Sequence, residues 1–116
     1  MFKVIVAGGR DFTDYELLKS TLNHLLSRKK HIQIVSGMAR GADALAVKYA
    51  YENDFDIQSF PAQWQLFGNS AGYKRNIQMA QYADACVCFW DGQSKGTADM
   101  IRVSRVYNLP VRVIKY

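Results

Sequence analysis

The sequence predicts a small, doubly wound α/β domain: a parallel sheet with helices on both faces. Three observations predict it. Apolar, β-branched runs recur five times, segments of helical period separate them, and the glycines gather after the runs rather than before them. At 116 residues the chain matches one domain, residues 1–116, and is long enough for a real core.

The runs lie at 3–7, 32–36, 57–60, 85–90 and 111–114. They are apolar on both sides, which suits parallel strands buried on both faces better than a half-exposed antiparallel sheet. After the first run, Thr13 and Glu16 have the spacing of a capping box, with Leu18, Leu22, Leu25 and Leu26 as the buried stripe. Ala42, Leu45, Ala46, Tyr49 and Ala50 mark a second helix, and Tyr73, Ile77 and Ala80 a third that begins near Arg75 and Asn76. Met100, Val103 and Tyr107 mark a fourth, opened by Thr97 and stopped by Pro110. Right-handed crossovers then place helices on both faces.

Gly8 and Gly9 follow the first run, Gly37 and Gly41 the second, Gly68 and Gly72 the third, Gly92 and Gly96 the fourth. All eight fall in loops at one edge of the expected sheet, the edge where open α/β sheets bind ligands. Gly37 and Gly41 would let backbone approach a ligand, with amides at a helix start facing an anion. Arg10, Arg40, Arg75 and Lys95 add charge in or beside these loops. Asp43 fits either of two roles, a helix first-turn acid or an acceptor for a ribose hydroxyl. Trp64 likewise fits either a core cap beneath a long loop or a stacking platform for a base.

A net charge of +5 permits a nucleic-acid partner without demanding one, and part of the excess sits at Arg102, Arg105 and Arg112, away from the glycine loops. No apolar run approaches the roughly 20 residues that cross a bilayer. The opening MFKVIVAGG is broken by glycines too soon for a secretory signal. A cytoplasmic chain with no membrane partner is the expectation. Cys86 and Cys88 share one strand face at a spacing of about 6.5–7 Å, at or beyond the disulfide limit, and read as core. His24 and His31 have no ligand spacing, so no metal site is expected. The chain has no G-x-G-x-x-G, no G-x-x-x-x-G-K-[ST] and no nucleophile elbow.

Taken together, VAGGRDF, SGMARGAD, PAQW…GNSAGYKRN and FWDGQSKGT closely resemble the YspA-like (cpYpsA-related) branch of the SLOG superfamily. These are Rossmann-like domains related to the LOG phosphoribohydrolases and to the DNA-processing protein DprA. The resemblance spans the chain and implies strand order 3-2-1-4-5, with a ligand crevice between the first and fourth strands. It implies a nucleotide or nucleotide-derived ligand of NAD or ADP-ribose type. It picks out Gly8, Gly9, Arg10 and Asp11, then Ser36, Gly37, Gly41 and Asp43. Beyond those come Trp64, Gly72, Arg75 and Asn76, and finally Gly92, Ser94, Gly96 and Thr97. LOG enzymes carry P-G-G-x-G-T-x-x-E, whose glutamate helps cleave an N-glycosidic bond. Met100 stands at that position, and Asp99, one residue away, would project about 100° aside.

Three functions follow, in order. The first is a binding or sensing module for a nucleotide-derived ligand, acting within a homo-oligomer. The second is a hydrolase cleaving an N-glycosidic or phosphoester bond, with Asp11 and then Asp91 as acid/base candidates. The third is a DprA-like binder of single-stranded nucleic acid, favoured by a pI near 9.3 and by aromatics in the loops. No cofactor beyond the nucleotide-derived ligand is expected.

Overall fold

Side-chain alternation along the first strand organises the two cores. In the computed structural model, which describes residues 1–116, β1 (Phe2–Gly8) sends Val4 and Val6 to one face and Ile5 and Ala7 to the other, all buried. Then follow α1 (Tyr15–Leu25), β2 (Ile32–Ser36), α2 (Ala42–Glu52) and β3 (Asp56–Ser59). A short α3 (Trp64–Phe67) and a 3₁₀ turn (Gly68–Ser70) lead into α4 (Ala71–Tyr82), β4 (Ala85–Trp90), α5 (Lys95–Val106) and β5 (Val111–Lys115).

The sheet is parallel, with order β3-β2-β1-β4-β5. One core lies under α1 and α2, where Leu18, Leu22, Ile34, Tyr49 and Phe89 pack. The other lies under α4 and α5, around Val35, Met79, Cys86, Cys88, Met100 and Val103. Because β1 and β4 are neighbours, with Ala7 opposite Cys88 and Gly8 opposite Phe89, the chain leaves them toward opposite faces of the sheet. The crevice at their carboxyl ends is the opening that results.

Several local expectations are corrected. Asp14, not Thr13, caps α1: its carboxylate accepts the Leu17 amide at 3.1 Å, and Glu16 makes no reciprocal bond. Four residues upstream of the expected start, 71–74, are helical in α4, so Arg75 sits past the first turn and does not oppose the helix dipole. The buried face of α4 is Ala71, Asn76, Met79 and Ala80, while Tyr73 and Ile77 are exposed. Periodicity misplaced that face because an asparagine occupies a core position. Likewise α5 begins at Lys95, with Ser94 as its cap, and Tyr107 is exposed beyond its end. Gly72 and Gly96 therefore lie inside helices rather than in loops. Both cysteines are free and buried, as expected. No helix is long and apolar enough to cross a membrane.

Candidate ligand-binding crevice

The first and second loops are built against each other. Gly9 donates its amide to the Phe89 carbonyl at 3.1 Å, and its own carbonyl accepts the Phe12 and Ala42 amides, each at 3.2 Å. Phe12 then anchors the loop in the core by stacking on Phe89, with centroids 4.9 Å apart. Such a pair is worth about 0.5–1.5 kcal/mol beyond its buried area. Gly41 caps α2 at φ 74°, and a Cβ there would lie 2.7 Å from the Arg10 Cα. A Cβ on Gly37 would lie 2.8 Å from the Arg75 Cζ. The two glycines thus admit the first loop on one side and a guanidinium on the other; protein atoms occupy the room they leave.

Between the loops lies a crevice of about 450 Å³. Of the residues that the sequence singles out, it brings together Gly8, Gly9, Arg10, Asp11, Asp43, Trp64, Gly72, Arg75, Asn76, Asp91, Ser94, Gly96 and Thr97. An adjoining compartment of about 320 Å³ adds Gly37 and Arg40 beside Arg10, Trp64 and Arg75. Four expected residues do not line either space. Ser36 is fully buried and its Oγ accepts the Met38 amide at 3.1 Å. Gly41 faces the first loop, Gly92 turns at φ 86° beside Lys115, and Lys95 lies outside the lining.

A polar chain crosses the floor from the second loop to α5. Arg75 Nη1 donates to the Gly37 carbonyl at 2.6 Å and its Nε to Asn76 Oδ1 at 3.1 Å. Asn76, buried on α4, donates to Asp99 Oδ2 at 3.1 Å and to the Gly96 carbonyl at 3.3 Å. Asp99 also holds Arg102 at 2.9 Å, the one ion pair in the protein. Arg10, Arg40 and Arg75 therefore have no carboxylate partner. Burial lowers the Arg75 pKa, opposed by the Asp43 charge and reinforced by Arg10. Burial also raises the Asp43 pKa; the Ala39 amide, donating at 3.1 Å, and then Arg75 and Arg10 offset part of the rise.

The fourth loop is equally committed. Asp91 Oδ1 accepts the Ser94 and Gln93 amides, each at 2.8 Å, and these bonds hold its pKa below the ordinary carboxylate value. Ser94 caps α5 through the Thr97 amide. Trp90 Nε1 donates to the Ser94 carbonyl at 3.0 Å. An acid kept ionised by backbone donors is suited to shaping a loop rather than to shuttling protons. Asp11, at the rim, accepts from the Tyr116 hydroxyl at 2.6 Å. Buried Met100 lines the crevice where a glutamate would serve glycosidic cleavage, while Asp99 turns toward Asn76 and Arg102.

The outer wall is α3 and the 3₁₀ turn, none of whose residues is buried. Trp64, 49% exposed, faces the crevice, as does Asn69. Trp64 is thus not a core cap. Ala39, Asn69 and Tyr73 line the crevice without a signal in the sequence beyond their nearness to glycines. His24 is exposed, and His31 (φ 54°) precedes β2 at the opposite edge of the sheet. No group of His, Cys, Asp and Glu side chains is arranged to hold a metal.

Comparison with known proteins bears on this arrangement. The family model for the YspA, cpYpsA-related SLOG family (YAcAr) matches residues 2–67. Gene 61 protein of Mycobacterium phage D29 is 32% identical over 118 residues, covering 96% of this chain and 94% of the phage protein. DNA processing protein A from Helicobacter pylori, whose structure was described for its single-stranded DNA binding mode, matches with TM-score 0.65 and 21% identity over 97% of this chain. DNA processing protein A (DprA) from Streptococcus pneumoniae matches with TM-score 0.74 and 15% identity, again over 97% of this chain. The chain spans 64% and 49% of those two solved chains. At such identities the likeness is one of fold.

Proposed function

Since the chain belongs to the YspA, cpYpsA-related SLOG family, we propose that its crevice binds a nucleotide or nucleotide-derived ligand as a sensing or processing module. The observation that carries this reading is the set of three arginines without an ion pair, Arg10, Arg40 and Arg75, beside a half-exposed indole and a buried carboxylate. Guanidinium groups in a crevice that form no ion pair within the protein favour a bound anion. Charge-assisted hydrogen bonds to phosphate are worth about 1.5–3 kcal/mol each. Both Asp43 and Trp64 line the crevice, which supports Asp43 as an acceptor for ribose hydroxyls and Trp64 as a stacking platform for a base. The capped start of α5 adds a smaller attraction, about 0.3–1 kcal/mol.

Single-stranded DNA is the second reading. It draws on the fold shared with the Helicobacter pylori protein and on the continuity of the two compartments past Arg10, Trp64 and Arg75. The hydrolase reading is weaker, because Asp91 is tied to backbone amides and Met100 replaces the expected glutamate.

Salt dependence separates the first two. A strand held by four or five cations should give a log–log slope of affinity against salt near about −3, at about 0.7 per phosphate contact. A mononucleotide or ADP-ribose should show a shallower slope and raise the melting temperature through linkage. The expected result is a thermal shift with a nucleotide and weak, steeply salt-dependent binding to oligodeoxythymidine. Submicromolar binding to that oligomer at physiological salt, with no thermal shift from a nucleotide panel, overturns the small-ligand reading.

A further inference from the structure

We propose that Tyr116 is a positioning residue for the crevice, holding the Asp11 carboxylate at the rim and away from an incoming anion; this role rests on the anion-binding reading above. Tyr116 lies outside the glycine-bearing motifs, following the edge strand β5. Its amide donates to the Trp90 carbonyl at 3.2 Å, which extends the pairing of β5 with β4 by one residue. Its ring meets Phe12 edge-on with centroids 4.8 Å apart, and its hydroxyl donates to Asp11 Oδ1 at 2.6 Å.

Gly9 supplies the slot for this contact. A Cβ at position 9 would overlap the Tyr116 hydroxyl and would lie 2.7 Å from Asp11 Oδ1. The missing side chain therefore serves the phenol–carboxylate pair. Asp11 lines the crevice beside Arg10; the other two carboxylates there, Asp43 and Asp91, are already held by backbone amides. A free carboxylate there could turn inward, pair with Arg10 and repel a phosphate. Held by the phenol, it cannot. Burial, the hydrogen bond and the Asp11 charge all raise the Tyr116 pKa, so the hydroxyl keeps its proton at neutral pH.

Tyr116→Phe keeps the ring on Phe12 and removes only the hydroxyl. Two measurements test it. In ligand-free protein, hydrogen exchange at the Gly9 and Phe12 amides should speed up several-fold while α2 is unchanged. In titrations with AMP, Tyr116→Phe should weaken binding roughly three- to tenfold, a hydrogen bond to a charged but exposed group. In an Asp11→Asn background, where no negative charge remains to be restrained, the same substitution should change AMP affinity by less than about twofold. Unchanged exchange at Gly9 and Phe12 overturns the proposal whether or not AMP binds. An equal loss of affinity in the Asp11→Asn background also overturns it, since the effect would then not pass through the carboxylate. Failure of wild-type protein to bind AMP or any other nucleotide counts against the anion-binding reading instead, and the exchange measurement still decides the role of Tyr116.

Discussion

On the inner side of the crevice, Asp43, Arg75 and Asn76 are each held by named partners: Ala39, Gly37, Gly96 and Asp99. On the outer side, Trp64, Leu66 and Asn69 stand largely in solvent, and neither α3 nor the 3₁₀ turn buries a residue. The inner wall is therefore part of the fold, and altering it should disturb stability and binding together. The outer wall makes few buried contacts and belongs to the low-stability end of the structure, where binding and stability separate.

The largest expected effect is at Asn76. Asn76→Ala removes the donors to Gly96 and Asp99 and the acceptor for Arg75 in a buried setting, and should cost about 2–3 kcal/mol. Chemical denaturation should register that loss, and nucleotide affinity should fall with it. Arg75→Ala comes next: about 1–2 kcal/mol of stability, because crevice water can satisfy the Gly37 carbonyl, with at least a tenfold loss of affinity. If Arg75→Ala left the melting curve untouched, the inner wall would be no more structural than the outer one.

Asp43→Asn separates charge from shape. The amide oxygen still accepts the Ala39 hydrogen bond, but the side chain no longer ionises. Burial raises the wild-type pKa, so ionised Asp43 costs the folded state stability. Stability relative to the uncharged variant is intact below the ordinary carboxylate range, where Asp43 is protonated, and is lost as pH rises through the raised value. Melting curves across pH should therefore show Asp43→Asn gaining on wild type over that interval, then running parallel to it. A gap independent of pH would mean that the carboxylate is not desolvated in the folded state.

Trp64→Ala tests the outer wall. Stability should change by under about 0.5 kcal/mol, since the ring is half exposed, while nucleotide affinity should fall by about 1–3 kcal/mol if a base stacks there. The smallest effect belongs to Leu66→Ser, 69% exposed and outside the crevice lining, which should move neither quantity measurably. A loss of affinity there would extend the binding surface across the outer face of α3.

Much of this architecture was legible one element at a time. The five runs became strands within a residue or so of their expected ends; burial on both faces leaves a continuous apolar signature in β1, β2 and β4, whereas the edge strands β3 and β5 hold no fully buried residue. The edge of the sheet that carries the crevice was marked by glycines, and Arg10, Arg75, Trp64 and Thr97 do meet there. Strand order came through resemblance, since period and composition say which segments are strands but not which lie side by side.

Local patterns also determined less than they suggested. Thr13 and Asp14 are both good caps, and only the direction in which the chain enters α1 selects Asp14. The short α3 has too few residues and no buried stripe, so it has no period to read. The glycines show the limit most clearly. Sequence alone marked Gly9, Gly37 and Gly41 as candidate ligand contacts, with Gly37 and Gly41 leaving room for a close approach. Tertiary structure decided what takes the space: the Tyr116 hydroxyl, the Arg75 guanidinium and the backbone of Arg10. A missing Cβ is a local property of one residue, whereas the atom that fills the gap arrives from a distant part of the chain, 107 positions away for Gly9 and Tyr116. Only packing brings the two together.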